Sequence, residues 1–117
     1  MGYNWPGGEF MTKLATKSAS DGEGEVLHGA KLVPLKKQLG MGWTLVKEER
    51  IEKELKFKDF QQALAYTNKV GEVAESMGHH PDIFLTWGQV KLSISTHSKG
   101  GLTESDFVLA AKIDEIR

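Results

Sequence analysis

The stretch at residues 83–97, IFLTWGQVKLSISTH, holds two short runs in which apolar side chains recur at every second position. A period of two predicts β-strands that bury one face. The residues Gly88 and Gln89 lie between the runs, with glycine at the first turn position, which predicts an antiparallel hairpin. The apolar positions of the two runs are Ile83, Leu85, Trp87, Val90, Leu92 and Ile94.

The segment before this hairpin predicts the longest helix of the chain. Its apolar residues recur at spacings of three and four, which places them on one stripe that we expect to face the core. Asp59 is suited to cap the start of this helix, and Gly78 to end it in a left-handed conformation. The stripe consists of Phe60, Leu64, Thr67, Val70, Ala74 and Met77.

Three further elements are predicted on either side. Residues 43–46 and 50–57 read as strands, the second because its apolar and charged residues alternate. A short helix is expected near residues 31–40, with Pro34 in its first turn. Thr103 and Asp106 approximate a capping box, and Leu102 and Phe107 are spaced as a hydrophobic staple, so a last helix begins there.

Helices interleaved with antiparallel strands predict an α+β fold in which the helices cover one face of the sheet. The opposite face then requires a cover, and a second copy of the chain is the simplest one. We therefore expect a homo-oligomer.

The first thirty residues differ in composition from the rest. They are rich in glycine and small polar residues and show no periodicity, so we expect a disordered arm over residues 1–30 and one folded domain over residues 31–117. Met11 is an alternative natural start, in which case residues 1–10 are not native.

Composition excludes several classes of function. With 15 basic and 16 acidic residues, the chain has no net basic charge with which to attract nucleic acid or an anionic membrane. It contains no cysteine, which excludes disulfides and thiolate metal sites. No apolar run approaches the roughly 20 residues that span a bilayer. We expect a cytoplasmic protein, although a nuclear or organellar location fits equally well.

Histidines are the candidate catalytic residues. His79 and His80 precede Pro81 directly after the long helix, and His97 ends the last strand on the side opposite its apolar face. Histidine both donates and accepts protons near neutral pH, as a dehydration requires. Two alternatives stay open: the pair is structural, or the three histidines hold zinc. His28 lies in the arm, and we assign it no role.

A set of spaced residues gives a more specific indication. The segment ESMGHHPD at residues 75–82 is followed by Trp87, His97 and Asp106, in the order and spacing found in pterin-4a-carbinolamine dehydratases. The chain resembles this family over residues 35–116. Further matching segments are GW at 42–43, KFKDF at 56–60, LSISTH at 92–97 and GLTESD at 101–106.

The resemblance implies a four-stranded antiparallel sheet with helices on one face, assembled into dimers or tetramers. It implies a hydro-lyase that dehydrates 4a-hydroxytetrahydropterin to the quinonoid dihydropterin during tetrahydrobiopterin recycling, with neither a metal nor a cofactor. Some family members also act as a dimerisation cofactor of a homeodomain transcription factor. A non-enzymatic role with such a partner is therefore the alternative.

The resemblance also implies the residues of the site. His80 and His97 form the expected acid–base pair, and His79 serves the other stereoisomer of the hydroxyl group. Glu75 and Asp106 are possible supporting carboxylates, although Asp106 is explained equally well as a helix cap. Ile83 replaces the bulky aromatic residue of many members. The expected substrate-binding residues are Pro81, Thr96, Ser98, Lys99 and, as a wall of the site, Trp87.

Overall fold

The computed structural model describes residues 13–17 and 24–116. Within these residues, four α-helices and four strands follow one another, with 3-10 turns at Gly29–Lys31 and His97–Lys99. The elements are α1 (Lys13–Thr16), α2 (Leu32–Lys37), β1 (Thr44–Val46), β2 (Arg50–Lys56), α3 (Phe60–Met77), β3 (Asp82–Leu85), β4 (Gln89–Ile94) and α4 (Glu104–Ile113).

The four strands form one antiparallel sheet in the order β1-β2-β4-β3. On its inner face, Ile51 of β2 pairs with Ile94 of β4, and both are buried beneath the helices. Helix α3 contacts β3 and β4, and α4 packs against α1, α2 and α3. The predicted α+β fold, a four-stranded antiparallel sheet with helices on one face, is therefore confirmed.

The β3–β4 hairpin turns one residue earlier than predicted. Leu85 pairs with Val90, and the amide of Thr86 donates to the carbonyl of Gln89 at 2.8 Å, which leaves Trp87 and Gly88 as the turn. Gln89 belongs to β4 because it also pairs with Lys56 of β2. Glycine is favoured at position 88, since a Cβ there would lie 3.2 Å from the carbonyl oxygen of Phe57.

The ends of α3 are confirmed, but its buried stripe was partly wrong. The Asp59 side chain accepts a hydrogen bond from the amide of Gln62 at 2.9 Å, and Gly78 is left-handed with φ of 68°. The buried face runs through Ala63 and Val70 rather than through Leu64. Leu64 follows Ala63 and is rotated from that face by about a quarter turn. Phe60 and Leu64 are consequently 48% and 39% exposed.

The described parts of the N-terminal arm pack against the domain, which differs from the disorder expected for those residues. Leu14 is buried, and Lys112 of α4 donates to the carbonyl of Ala15 at 2.9 Å. The amide of Leu27 donates to the carbonyl of Leu102 at 2.8 Å. Burial of Leu14 offsets part of the entropy lost by ordering its short helix. Residues 1–12, with the alternative start at Met11, and residues 18–23 lie outside the described residues.

A cluster of polar contacts, here called the Asp114 cluster, lies beyond the C-terminal end of α4. The Asp114 carboxylate accepts hydrogen bonds from the Gly40 amide at 2.7 Å, from Trp43 Nε1 at 2.9 Å and from Lys53 Nζ at 2.9 Å. These contacts join α4 to β2 and to the loop after α2. Burial, and then the nearby charge of Asp114, raise the pKa of Tyr66 to about 12.

The outer face of the sheet is largely polar. Glu52 lies 2.7 Å from Arg50 Nε and 3.6 Å from Lys91 Nζ. The hydrogen bond from Arg50, aided by the charges of Arg50 and Lys91, lowers the pKa of Glu52. A face of this composition is stable in contact with water, so it does not by itself require a second copy of the chain to cover it. Among the described residues, no helix combines the length and the apolar character needed to cross a membrane.

Candidate active site

His79 lies inside the protein, directly after the left-handed Gly78 that ends α3. Its side chain is 1% exposed, and its Nε2 lies 2.6 Å from Oδ1 of Asp106, which is fully buried in the first turn of α4. An ionised carboxylate only accepts hydrogen bonds, so Nε2 carries the proton in this pair. Asp106 thereby fixes the orientation and the tautomer of the imidazole.

Asp106 also binds the segment that carries His97. Its Oδ2 accepts from the Thr96 hydroxyl at 2.9 Å and from the Thr103 amide at 2.8 Å. The hydroxyls of Thr96 and Thr103 lie 2.9 Å apart, and both residues are fully buried. We call His79, Thr96, Thr103 and Asp106 the Asp106 network. Asp106 therefore completes the capping box of α4 and also hydrogen-bonds a histidine.

His80 and His97 lie at the surface, each beside a carboxylate. His80 Nε2 is 2.8 Å from Oε1 of Glu75, five residues earlier in the chain, and the His80 side chain is 61% exposed. His97 Nε2 is 3.7 Å from Oδ2 of Asp82, and both of these side chains are 73% exposed. The outward position predicted for His97 from strand alternation is confirmed. Both imidazoles can therefore meet a ligand from solvent.

The fold brings the three histidine positions to one corner of the molecule. His79 and His80 precede β3, His97 follows β4, and these two strands are neighbours in the sheet. Asp82 contacts His97 across the strand pair, and Asp106 joins His79 to Thr96 below it. One of the three histidines is thus buried and the other two are exposed.

The expected substrate-binding residues divide into two groups. Pro81 is half-buried, and Ser98 and Lys99 are exposed in the 3-10 turn that begins at His97. Thr96 is fully buried with its hydroxyl in the Asp106 network, so this side chain does not reach the surface. Lys99 Nζ donates to the carbonyl of Gly24 in the arm.

Trp87 is not brought to the histidines within one chain. It is 73% exposed in the hairpin turn, at the opposite end of β3 from His80. The four residues of β3 alone separate the two ends by about 13 Å. The expectation that Trp87 forms a wall of the site therefore finds no support within a single chain.

Sequence reasoning missed Asp82 and the residues on the other side of His97. Asp82 was quoted only as part of a matching segment, yet its pairing with Ser93 places it on the outer face that carries His97. Glu49 and Arg50 line a groove together with His97. Alternation along β2 places Arg50 on the exposed face, but it gives no sign that Arg50 lies beside His97.

In the part of the chain that the structure describes, no group of three or more His, Cys, Asp or Glu side chains could hold a metal ion.

Three comparisons with known proteins give the same family. A family model described as pterin 4 alpha carbinolamine dehydratase matches residues 26–116. A protein of Rubrobacter xylanophilus is 44% identical over 108 residues, which are 91% of this chain and 100% of its own. One of Alkaliphilus metalliredigens is 51% identical over 78 residues, covering 67% of this chain and 70% of its own. Both carry the name "Putative pterin-4-alpha-carbinolamine dehydratase".

A solved structure agrees with this assignment. The transcriptional coactivator/pterin dehydratase of Brucella melitensis has a TM-score of 0.68 and 33% sequence identity, covering 74% of this chain and 93% of its own. The matches extend over α3, the hairpin and α4, which together carry the three histidines and Asp106. The chain therefore belongs to the pterin-4a-carbinolamine dehydratase family.

Proposed function

We propose that the protein dehydrates 4a-hydroxytetrahydropterin to the quinonoid dihydropterin and thereby serves the recycling of tetrahydrobiopterin. The observation that carries this proposal is the corner that holds two exposed histidines, each beside a carboxylate, and a buried His–Asp pair. Groups that titrate near neutral pH and are open to solvent suit proton transfer to and from a small ligand.

The reaction requires two proton transfers and no redox change. The bond between C4a and its hydroxyl oxygen breaks, and the hydroxyl takes up a proton and leaves as water. The N5–H proton is removed, and the electron pair of that bond completes the C4a=N5 double bond. One general acid and one general base are sufficient for this chemistry, with neither a metal nor a cofactor.

His80 and His97 are the proposed acid–base pair. Glu75 at 2.8 Å can orient the His80 ring, and Asp82 lies 3.7 Å from His97 Nε2. His79 is buried and hydrogen-bonded to Asp106, so its role with the other hydroxyl stereoisomer requires a movement that exposes it. Because His79 is buried, its proposed first contribution is to position the neighbouring His80. Pro81, Ser98 and Lys99 are the proposed contacts for the pterin ring.

The experiment that tests this proposal measures dehydration of freshly generated 4a-hydroxytetrahydropterin by ultraviolet absorbance. We expect the protein to accelerate the reaction, and His80→Ala and His97→Ala each to lower the rate by about 10²–10⁴-fold. The matched control is His28→Ala, because His28 is exposed in the arm and outside the Asp106 network. A folded protein that does no better than buffer would refute the proposal.

A homo-oligomer is the second part of the proposal. Strand β3 is an edge of the sheet, and Phe84 on its outer face and Trp87 beyond its end are 62% and 73% exposed. Antiparallel pairing of two β3 edges would place Trp87 of a second copy beside His80 of the first, since the two ends of the strand then lie together. Light scattering after gel filtration should give a dimer or a tetramer, and Trp87→Ala should weaken both assembly and activity. A monomer of full activity would contradict this arrangement.

A non-enzymatic role with a protein partner is the alternative. Phe60 and Leu64 form an exposed apolar pair on α3, away from the histidines, and the Brucella melitensis structure bears the name of a transcriptional coactivator. A transcription factor that binds this pair would be held equally well by His97→Ala but not by Leu64→Glu. The cytoplasmic location stays a prediction, as does the absence of direct binding to nucleic acid.

A further inference from the structure

A groove of about 290 Å³ adjoins His97 on the outer face of the sheet. Its size is near the lower end of the range for small-molecule sites, roughly 300–1,000 Å³. We call it the side-chain groove. It is lined by Glu49, Arg50, Ser95, His97, Gly100 and Gly101.

The strand order places this groove on the far side of His97 from His80. Strand β4, which leads into His97, lies between β2 and β3. Asp82, on the β3 side, lies 3.7 Å from His97, whereas Arg50, on the β2 side, lines the groove. A ligand whose reacting atoms lie between His80 and His97 therefore enters this groove by extending past His97 toward Arg50.

The walls of the side-chain groove combine hydrogen-bond donors and acceptors of both charges. Arg50 is held by its Nε, which donates to Glu52 at 2.7 Å, so the outer part of its guanidinium fork is positioned as a donor. Glu49 supplies a carboxylate acceptor, and the Ser95 hydroxyl can donate or accept. An anionic group would be attracted by Arg50 and repelled by Glu49. Uncharged hydroxyl groups can accept from Arg50 and donate to Glu49 at the same time.

The turn that carries Glu49 is held in an unfavourable conformation. Lys47 and Glu48 have φ of 54° and 58°, a left-handed region that costs energy for residues with a side chain. The amide of Glu49 donates to the carbonyl of Val46 at 2.9 Å and closes the turn. Strain of this kind is often retained at ligand sites, and here it fixes the residue that precedes Arg50.

We infer that the side-chain groove holds the substituent on C6 of the pterin and that Glu49 and Arg50 select an uncharged, hydroxylated substituent. The inference rests on the proposed dehydratase function. C6 is bonded to N5, which loses its proton in the reaction, so the C6 substituent begins one bond from the reacting atoms. If N5 faces His97, the substituent continues past His97 and enters the groove.

The test compares three 4a-hydroxytetrahydropterins that differ only at C6: a methyl group, a 1,2-dihydroxypropyl group and a short side chain that ends in a phosphate monoester. The quantity measured is the ratio of kcat/KM for the dihydroxypropyl substrate to that for the methyl substrate. We expect a ratio of about ten in the parent protein, because each well-placed hydrogen bond contributes a factor of several. The phosphate substrate should fall below the dihydroxypropyl substrate.

The variants are Glu49→Gln and Arg50→Gln, each of which should lower that ratio by about three- to ten-fold. Glu49→Gln should also improve turnover of the phosphate substrate, since it removes the repelling charge. Lys91→Gln is the matched control, because Lys91 is a cation on the same face that lines a different groove. Glu49 is exposed in a turn, so its variant remains informative if Arg50→Gln fails to fold.

The outcomes separate the two proposals. If the parent dehydrates all three substrates with equal kcat/KM, or if both variants keep the parental ratio, the side-chain groove has no such role while the dehydratase function stands. If Lys91→Gln lowers the ratio as much as Arg50→Gln does, the effect belongs to the charge of the face and the inference fails. If no substrate is dehydrated, the proposed function fails first.

Discussion

The two ends of α4 carry the same side chain in the same structural role, but with different neighbours. Asp106, in the first turn, and Asp114, just after the last, each accept three hydrogen bonds from residues outside the helix body. Asp106 is fully buried, whereas the Asp114 side chain is 16% exposed. Each carboxylate therefore connects separate segments of the chain through one helix terminus.

The difference lies in what is connected. Asp106 binds the segments that carry His79 and His97, whereas Asp114 joins α4 to Gly40, Trp43 and Lys53. Removal of either carboxylate should lower stability, but only the Asp106 end should affect the chemistry. Burial and hydrogen bonding are similar at the two ends, so the segments that each carboxylate connects are what distinguishes them.

The largest effect on stability is expected from Asp106→Ala. The change leaves His79, Thr96 and the Thr103 amide without a shared acceptor inside the protein, and we expect the free energy of unfolding to fall by about 3–5 kcal/mol. Urea denaturation measures this loss. Glu104→Ala, in the same turn of α4, is the control, because its ion pair with Lys17 is largely exposed and should contribute under about 1 kcal/mol. Equal losses in the two variants would contradict the role given to the Asp106 network.

Asp114→Ala should have a smaller effect of about 2–3 kcal/mol. The Asp114 side chain is 16% exposed and its partner Gly40 is exposed, so water can replace part of the lost hydrogen bonding. The same urea experiment applies, with Asp114→Asn as a variant that keeps an acceptor oxygen and should lose less. If Asp114→Ala proves more destabilising than Asp106→Ala, the two ends are ranked in the wrong order.

A still smaller loss of stability is expected at alkaline pH, from ionisation of Tyr66. Because its pKa is raised to about 12, the unfolded chain releases the phenol proton first, and stability falls between about pH 10 and pH 12. After allowance for solvent screening, we expect this loss to be about 1–2 kcal/mol. The measurement is the free energy of unfolding against pH for the parent and for Tyr66→Phe. If the two curves remain parallel over this range, burial of Tyr66 does not raise its pKa.

The smallest effect on stability is expected from a change in the turn before Glu49, near the proposed site. Lys47→Gly should raise stability by about 0.5–1 kcal/mol, because glycine adopts φ of 54° without the clash of a side chain. Glu49→Gly is the control, since φ at this position is not positive and the change should only add freedom to the unfolded chain. A loss of stability in Lys47→Gly would show that the turn stores no strain.

Local features of the fold were predictable because their causes lie within a few residues. Asp59 and Gly78 at the ends of α3, and the Thr103–Asp106 capping box, follow from backbone groups that adjacent residues must satisfy. The outward position of His97 follows from strand alternation alone. The resemblance added what local patterns could not, namely that the three histidines share one corner.

Other features depended on contacts between distant residues. Asp106 lies 27 positions from His79, and Asp114 lies 61 positions from Lys53, so no local pattern could pair them. The exposure of Leu64 depends on the rotation of α3 against the sheet, which the apolar spacing leaves undetermined. The shift of the hairpin turn to Trp87 and Gly88 depends on the pairing of Gln89 with β2, another long-range contact.

The most direct test of the account compares Asp106→Asn with Asp114→Asn in the dehydration assay, at equal concentrations of folded protein. An amide at position 106 keeps one acceptor oxygen but replaces the other with an NH2 donor, so it can no longer accept from His79 and from Thr96 and Thr103 at the same time. We expect kcat to fall on the order of 10²-fold in Asp106→Asn, by analogy with carboxylates that orient catalytic histidines, and to stay close to the parental value in Asp114→Asn. Equal activity in the two variants would contradict the claim that the Asp106 end of α4 organises the active site.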